Sequence, residues 1–247
     1  MIRKQKLLSI DSNPKTVKGQ KHGYMTGILY LSPADLSGHN VCANAKIAGC
    51  IKGCLNTAGL GGVYSSIQAA RLRKTNWFFE DRQSFMDQLV KDIEELQRKA
   101  AKRGLIPVVR LNGTSDIRWE SIKFDFEFAF GKVREVNIFQ LFPDIQFYDY
   151  TKLSNRKGIP ANYDLTFSFS GREAYRIHNL KAFAQKMRIA VVFGSKNLPV
   201  EFYGRPVING DDSDLRFLDP KNSIIGLSAK GKAKQDREGF VIRLAVE

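Results

Sequence analysis

Residues 106 to 116 read I-P-V-V-R-L-N-G-T-S-D. The first half is short, apolar and β-branched, as a strand buried on both faces should be. The second half turns polar at once: Gly113 marks a turn, and Asn112, Ser115 and Asp116 carry side chains able to bind a ligand or move a proton. The same pattern recurs along the chain. Residues 145 to 150 (I-Q-F-Y-D-Y) end near Asp149 and lead to Lys152, residues 163 to 169 (Y-D-L-T-F-S-F) precede a helical stretch, and residues 189 to 193 (I-A-V-V-F) are wholly apolar. Val207 and Ile208 run into Asp211, Asp212 and Asp214, residues 224 to 227 run towards Lys230, and residues 25 to 31 (M-T-G-I-L-Y-L) form the first such run. Seven strands are therefore expected, each followed by polar residues. Parallel α/β folds build their sites at the C-terminal ends of strands, so the pattern predicts an α/β protein with a complete or partial βα (TIM-like) barrel of mostly parallel strands.

Two helices are expected before the second strand. Residues 63 to 74 place Val63, Ile67 and Ala70 on one side, and residues 82 to 103 repeat Phe85, Leu89, Ile93, Leu96 and Ala100 at helical spacing, with Gly104 as the stop. Residues 117 to 144 break the alternation. There Phe124, Phe126, Phe128 and Phe130 alternate with charged or small residues, which reads as an extended insertion or edge hairpin.

With 247 residues, 43% of them hydrophobic and 17 of them Phe, the chain can bury the core of one domain, expected over residues 25 to 247. Residues 1 to 24 carry six Lys and Arg against Asp11 alone and read as a basic arm. No apolar run approaches the roughly 20 residues of a membrane span, and the basic start runs into Asp11, Asn13 and Pro14 instead of an apolar signal segment. A cytoplasmic protein with no membrane partner is expected. Lys and Arg number 39 against 25 Asp and Glu, a net charge of +14, which points to a polyanion and hence to nucleic acid as partner.

All three cysteines fall in a loop rich in small residues after the first strand. Cys42 and Cys50 are separated by seven residues, and Cys50 and Cys54 by three. Three thiols cannot pair off as disulfides, and their clustering favours a metal over three unrelated buried thiols. With His39 the set becomes Cys3His, a closed zinc site. With the cysteines alone it suits a [4Fe-4S] cluster whose remaining iron is open to a substrate or S-adenosylmethionine.

Other candidates come from the strand ends. Asn112, Gly113, Ser115 and Lys152 are placed to hold a cofactor, while Asp116, Asp149, Asp211 and Asp214 are candidate general bases, nucleophiles or partners of a ribose or base edge. Arg110, Arg216 and Lys230 would contact phosphate. Gly59, Gly61 and Gly62 precede a helix and could leave backbone N–H groups for an anion. No H-E-x-x-H, G-x-S-x-G or G-K-[ST] motif is present, and His22 and His178 have no evident partner.

The runs L-S-P-A-D-L-S-G-x-N-V-C, G-C-x3-C-L-N-T-A-G, V-R-L-N-G-T-S-D-I, F-Y-D-Y-T-K, N-Y-D-L-T-F-S and I-N-G-D-D-S-D-L-R-F-L-D-P resemble a three-cysteine family of bacteriophage and plasmid proteins without an assigned activity. The resemblance covers nearly all of residues 27 to 240 and implies a mobile-element setting. More distantly, the order of strand, three-cysteine loop and helix resembles the radical S-adenosylmethionine barrels, which implies an iron–sulfur enzyme modifying nucleic acid or a nucleotide. Their motif is C-x3-C-x2-C with an aromatic before the last cysteine, whereas this chain has C-x7-C-x3-C with Gly53 before Cys54. A second likeness, to the tRNA-guanine transglycosylases, implies base exchange with a structural zinc and Asp116 or Asp211 as nucleophile. A non-catalytic nucleic-acid-binding protein stapled by its metal is the third reading.

Overall fold

In the computed structural model, residues 5 to 10 and 14 to 244 are described. The chain opens with β1 (Leu8–Ile10), α1 (Pro14–Gln20) and β2 (Tyr24–Leu29). The long cysteine loop follows, then α2 (Gly59–Val63), α3 (Ser65–Glu80) and α4 (Arg82–Lys102). Asp81 begins α4 by accepting a bond from the Ser84 N–H at 3.1 Å, which satisfies one of the unpaired donors of a helix start. Phe85, Leu89, Ile93 and Leu96 on its inner face are fully buried. Gly104 ends it in the left-handed region (φ +63°), where its N–H and that of Leu105 bond back to Ala101 and Ala100.

β3 (Ile106–Arg110) is followed by the hairpin β4 (Phe124–Phe128) and β5 (Gly131–Val136), which forms a separate two-stranded sheet within residues 117 to 144. The short α5 (Ile138–Leu141), β6 (Gln146–Thr151), β7 (Tyr163–Ser168), α6 (Arg176–Ala184) and β8 (Ile189–Phe193) come next, then β9 (Glu201–Phe202), β10 (Arg205–Asn209) and β11 (Ile224–Ser228). All seven expected strands are present. They lie side by side in the order β2-β3-β6-β7-β8-β11-β10, every neighbouring pair parallel.

Five of those strands therefore follow one another in space as they do in sequence, the winding of a barrel, yet the sheet does not close. Of the complete or partial TIM-like barrel expected, the closed form is not found, and the edges of the sheet show why. β1 pairs antiparallel outside β2 and β9 antiparallel outside β10, so the hydrogen-bonding edges that closure would join are already taken. The result is an open nine-stranded sheet, mostly parallel, in a mixed α/β fold.

The segment expected as a basic arm is packed where it is described. Leu7 and Leu8 are buried, and both N–H groups donate to the Asp92 carboxylate of α4, at 2.5 and 2.9 Å. Residues 1 to 4 and 11 to 13 of that segment, with Arg3, Lys4 and Asp11, lie outside the described residues. No helix among the described residues is long and apolar enough to cross a membrane.

Candidate functional site

Parallel strands all present their C-terminal ends to the same edge, and the cysteine loop is stitched across that edge. Near β3, the Asp116 N–H donates to the Val41 carbonyl at 2.8 Å, the Gly113 N–H to Leu29 at 3.0 Å, and the Thr114 hydroxyl to Leu31. Beyond β6, the Asn44 side chain donates to the Lys152 carbonyl at 2.9 Å. Past β7, Ser170 Oγ donates to the Ala48 carbonyl at 2.8 Å and Arg172 to the Lys46 carbonyl at 3.2 Å. A loop without regular structure satisfies its backbone groups this way. Gly113 belongs to this seam because a side chain there would meet the Leu29 carbonyl at 2.8 Å.

The stitching brings the three thiols into one wall. Cys42, Cys50 and Cys54, all free and half-buried, line a cavity of about 600 Å³. Its lining also takes in the segment around the 3₁₀ turn Gly231–Gln235, including Lys232, Asp236 and Arg237. The thiols have only weak partners: Cys42 Sγ lies 3.8 Å from the Thr114 carbonyl, Cys50 Sγ 3.7 Å from the Ala45 carbonyl, and Cys54 Sγ accepts from the Asn56 N–H at 3.5 Å. Burial pushes the Cys42 thiol up to about 12, and nearby Asp116 and the other two cysteines add to the rise. Cys50 and Cys54 are raised by burial as well, with Lys152 pulling against it at Cys50.

The thiols are not drawn to one point. Among the described residues, no group of three His, Cys, Asp or Glu side chains stands in position to hold a single metal ion. His39, the expected fourth zinc ligand, stacks on Phe79 with ring centroids 4.0 Å apart and is not part of the cavity wall.

Lys152 and Asp116 lie behind the cysteines. Lys152 is buried, its Nζ donating to the Ser168 and Phe169 carbonyls at 2.9 and 3.0 Å and facing the rings of Tyr175 and Phe240. Burial lowers its pKa to about 8. Asp116 accepts from the Thr151 hydroxyl at 2.8 Å and the Lys152 N–H at 2.6 Å, and burial raises it.

Asn112 and Ser115 are tied into the loop itself. The Asn112 side-chain oxygen accepts from Ser115 Oγ, the Ile117 N–H and Trp119 Nε1 at 2.9 to 3.1 Å. Asp149 is fully buried and accepts from the Leu111 and Asn112 N–H groups at 3.2 and 2.9 Å and from the Tyr163 hydroxyl at 3.0 Å. Asp214 pairs with Arg110 at 2.6 Å, and Arg110 Nε lies 3.9 Å from Asp149. Asp211 stands apart from these, held by Ser228 and by Lys230 at 2.7 Å.

Two expected phosphate contacts are corrected here. Arg110 is only 7% exposed, pairs with Asp214 and lies 3.9 Å from Asp149, and Arg216, at 1%, donates to the Ser213 carbonyl and pairs with Asp219 at 3.2 Å. Neither reaches solvent. Two features escaped the sequence reading. The buried Arg156, paired with Glu120 and 3.8 Å from Asp116, needs partners 36 and 40 positions away. The second is the part of the cavity lining drawn from residues 232 to 238, whose only sequence signal was an alternation of lysine with small residues.

A family model described as Gene product 88 matches residues 5–244, nearly the whole chain. The chain belongs to the gene product 88 family. That membership agrees with the resemblance to bacteriophage proteins and carries no link to the radical S-adenosylmethionine enzymes. No curated protein and no solved structure matches this gene product 88 chain.

Proposed function

We propose that this protein is an iron–sulfur enzyme acting on nucleic acid or a nucleotide, with Cys42, Cys50 and Cys54 as the cluster ligands. One observation carries the reading: the chain's only three cysteines line a single cavity at the C-terminal edge of a parallel sheet wound in barrel order. A cluster takes its cysteines on separate irons and so does not ask its thiols to meet at one point, whereas the ligands of a single zinc converge at about 2.3 Å from it, and no such convergence is present among the described residues. The place of His39 against Phe79 further favours three sulfur ligands over Cys3His.

Three cysteines leave one iron of a [4Fe-4S] cluster free to bind an organic ligand, and S-adenosylmethionine is the ligand we propose. A volume of about 600 Å³ falls within the range of small-molecule sites. The chain's own contribution is to hold the thiols on a braced loop and to keep Lys152 and Asp116 buried behind them. Base exchange gains no such support, because Asp116 and Asp211 are each bonded elsewhere and neither lines the cavity. The net charge of +14 supports the polyanionic substrate.

Anaerobic reconstitution tests this reading. About four iron and four sulfide per chain are expected, with a thiolate-to-iron absorption band, and each single Cys→Ala replacement should lower the iron content. Zinc at one per chain with no sulfide overturns the proposal.

A further inference from the structure

The segment 230 to 238 (K-G-K-A-K-Q-D-R-E) lends Lys232, Gln235, Asp236, Arg237 and Glu238 to the lining of the three-cysteine cavity, and Lys234 belongs to the same short turn. One small side chain anchors the segment. Ala233 is buried beside Phe240 and Val241 and packs towards Cys50, 3.2 Å from where a side chain at Gly53 would begin. Lys230, Lys232 and Lys234, on either side of it, stay exposed.

The acids in and around this segment are already engaged. Asp236 accepts from the backbone N–H groups of Gly239 and Val241 at 3.2 and 3.0 Å, which fixes the turn. Glu238 pairs with Lys52 and with Arg172, and Asp211 pairs with Lys230. Lys232, Lys234 and Arg237 are left exposed with no acid partner among the described residues. Exposed cations gathered on one short segment at a cavity mouth are suited to a row of phosphates. A cavity of about 600 Å³ is too small for a duplex, so a polynucleotide reaches into it only by a nucleotide turned out of the stack.

We propose that Lys232, Lys234 and Arg237 grip the phosphodiester backbone of a single nucleic-acid strand and lead one nucleotide into the three-cysteine cavity. This rests on reading the cavity as the substrate site, and it names the substrate as a polynucleotide instead of a free nucleotide. Fluorescence anisotropy of a short labelled single-stranded oligonucleotide, as DNA and as RNA, titrated across salt concentrations, tests it. Single strands contribute about 0.7 to the salt slope per neutralised phosphate, so K232Q/K234Q/R237Q should lower the slope by about 2. A control triple variant, K91Q/R98Q/K102Q on α4, should leave it unchanged.

Three results would overturn the proposal: no binding of either oligonucleotide at low salt, an equal loss of slope in both triple variants, or displacement of the oligonucleotide by a mononucleotide at the same concentration as by unlabelled strand. Circular dichroism of both variants checks that the fold is kept. Iron and sulfide measured on the same preparations test the cluster by itself, since none of the three side chains is a thiol. Strand binding with no iron removes the cluster and leaves the basic segment standing.

Discussion

Two polar clusters near the loop-bearing edge of the sheet meet their electrostatic demands in opposite ways. Around Arg110, the carboxylates of Asp149 and Asp214 are sealed from water and supplied with a cation, backbone N–H groups and the Tyr163 hydroxyl. Around Cys42, Cys50 and Cys54, the side chains have only long, weak sulfur contacts and face a cavity. Both carboxylates of the first cluster are supplied with donors, although Arg110 Nε keeps no hydrogen-bond partner among the described residues, whereas the weakly partnered thiols face a cavity. Residues at strand ends are thus not equivalent: Asp149 ties the end of β3 to β6 and Asp214 pairs with Arg110, whereas the thiols are held by no strong contact.

The sharpest way to break that contrast is Arg110→Ala. It leaves the Asp214 carboxylate buried without its cation, and breaking a buried ion pair costs about 3–5 kcal/mol. Urea denaturation should show a loss of that size. A loss under about 1 kcal/mol would mean that the cluster is not structural and would return Asp149 and Asp214 to the list of candidate catalysts. By comparison, Cys42→Ala in the metal-free protein should cost about 1 kcal/mol, because it removes a half-buried sulfur with no strong partner.

A subtler effect follows from the ionisation of Asp149. Burial holds its carboxyl up at about 7, against an ordinary value of 3.8. Between those values the folded state keeps a proton that the unfolded chain has released, so stability is greatest below pH 4 and is lost as the pH rises through 7. Asp149→Asn cannot titrate. Its amide also turns a donor towards one of the two N–H groups it must satisfy, a cost of about 1–3 kcal/mol at every pH. The urea midpoint of the wild type should therefore fall between pH 5 and pH 8 relative to that of the variant. Parallel profiles for the two proteins would assign the carboxyl an ordinary pKa.

The strands were legible where an apolar run is bounded by polar residues, most plainly in residues 189 to 193. What escaped the sequence depends on long-range pairing. β1 and β9, of three and two residues, are too short for a period to show, and they are the strands that keep the sheet open. Leu7 and Leu8 in a basic stretch gave no sign of burial because their partner, Asp92, lies 85 and 84 positions further on. The same holds at the site. Spacing alone brought the three cysteines together, since they share one loop, but the bonds that hold Asp149 leave no mark in the sequence, because Leu111 and Asn112 donate through backbone N–H groups that any residue has.

The smallest expected signal bears most directly on the thiols. A thiol held at about 12 has a thiolate fraction on the order of 10⁻⁴ at pH 8, whereas an ordinary cysteine near 8.5 has about a quarter. The thiolate is the nucleophile, so metal-free Cys42 should react with iodoacetamide on the order of a thousandfold more slowly than in the urea-unfolded chain. Its rate should rise about tenfold per pH unit between 8 and 10, where the unfolded thiol is already levelling off. Equal rates folded and unfolded would show that the wall of the cavity does not hold the thiol neutral. Binding of a metal to these residues must displace such protons, so a slow thiol that releases a proton on loading is the behaviour expected of a ligand site kept protonated until it is filled.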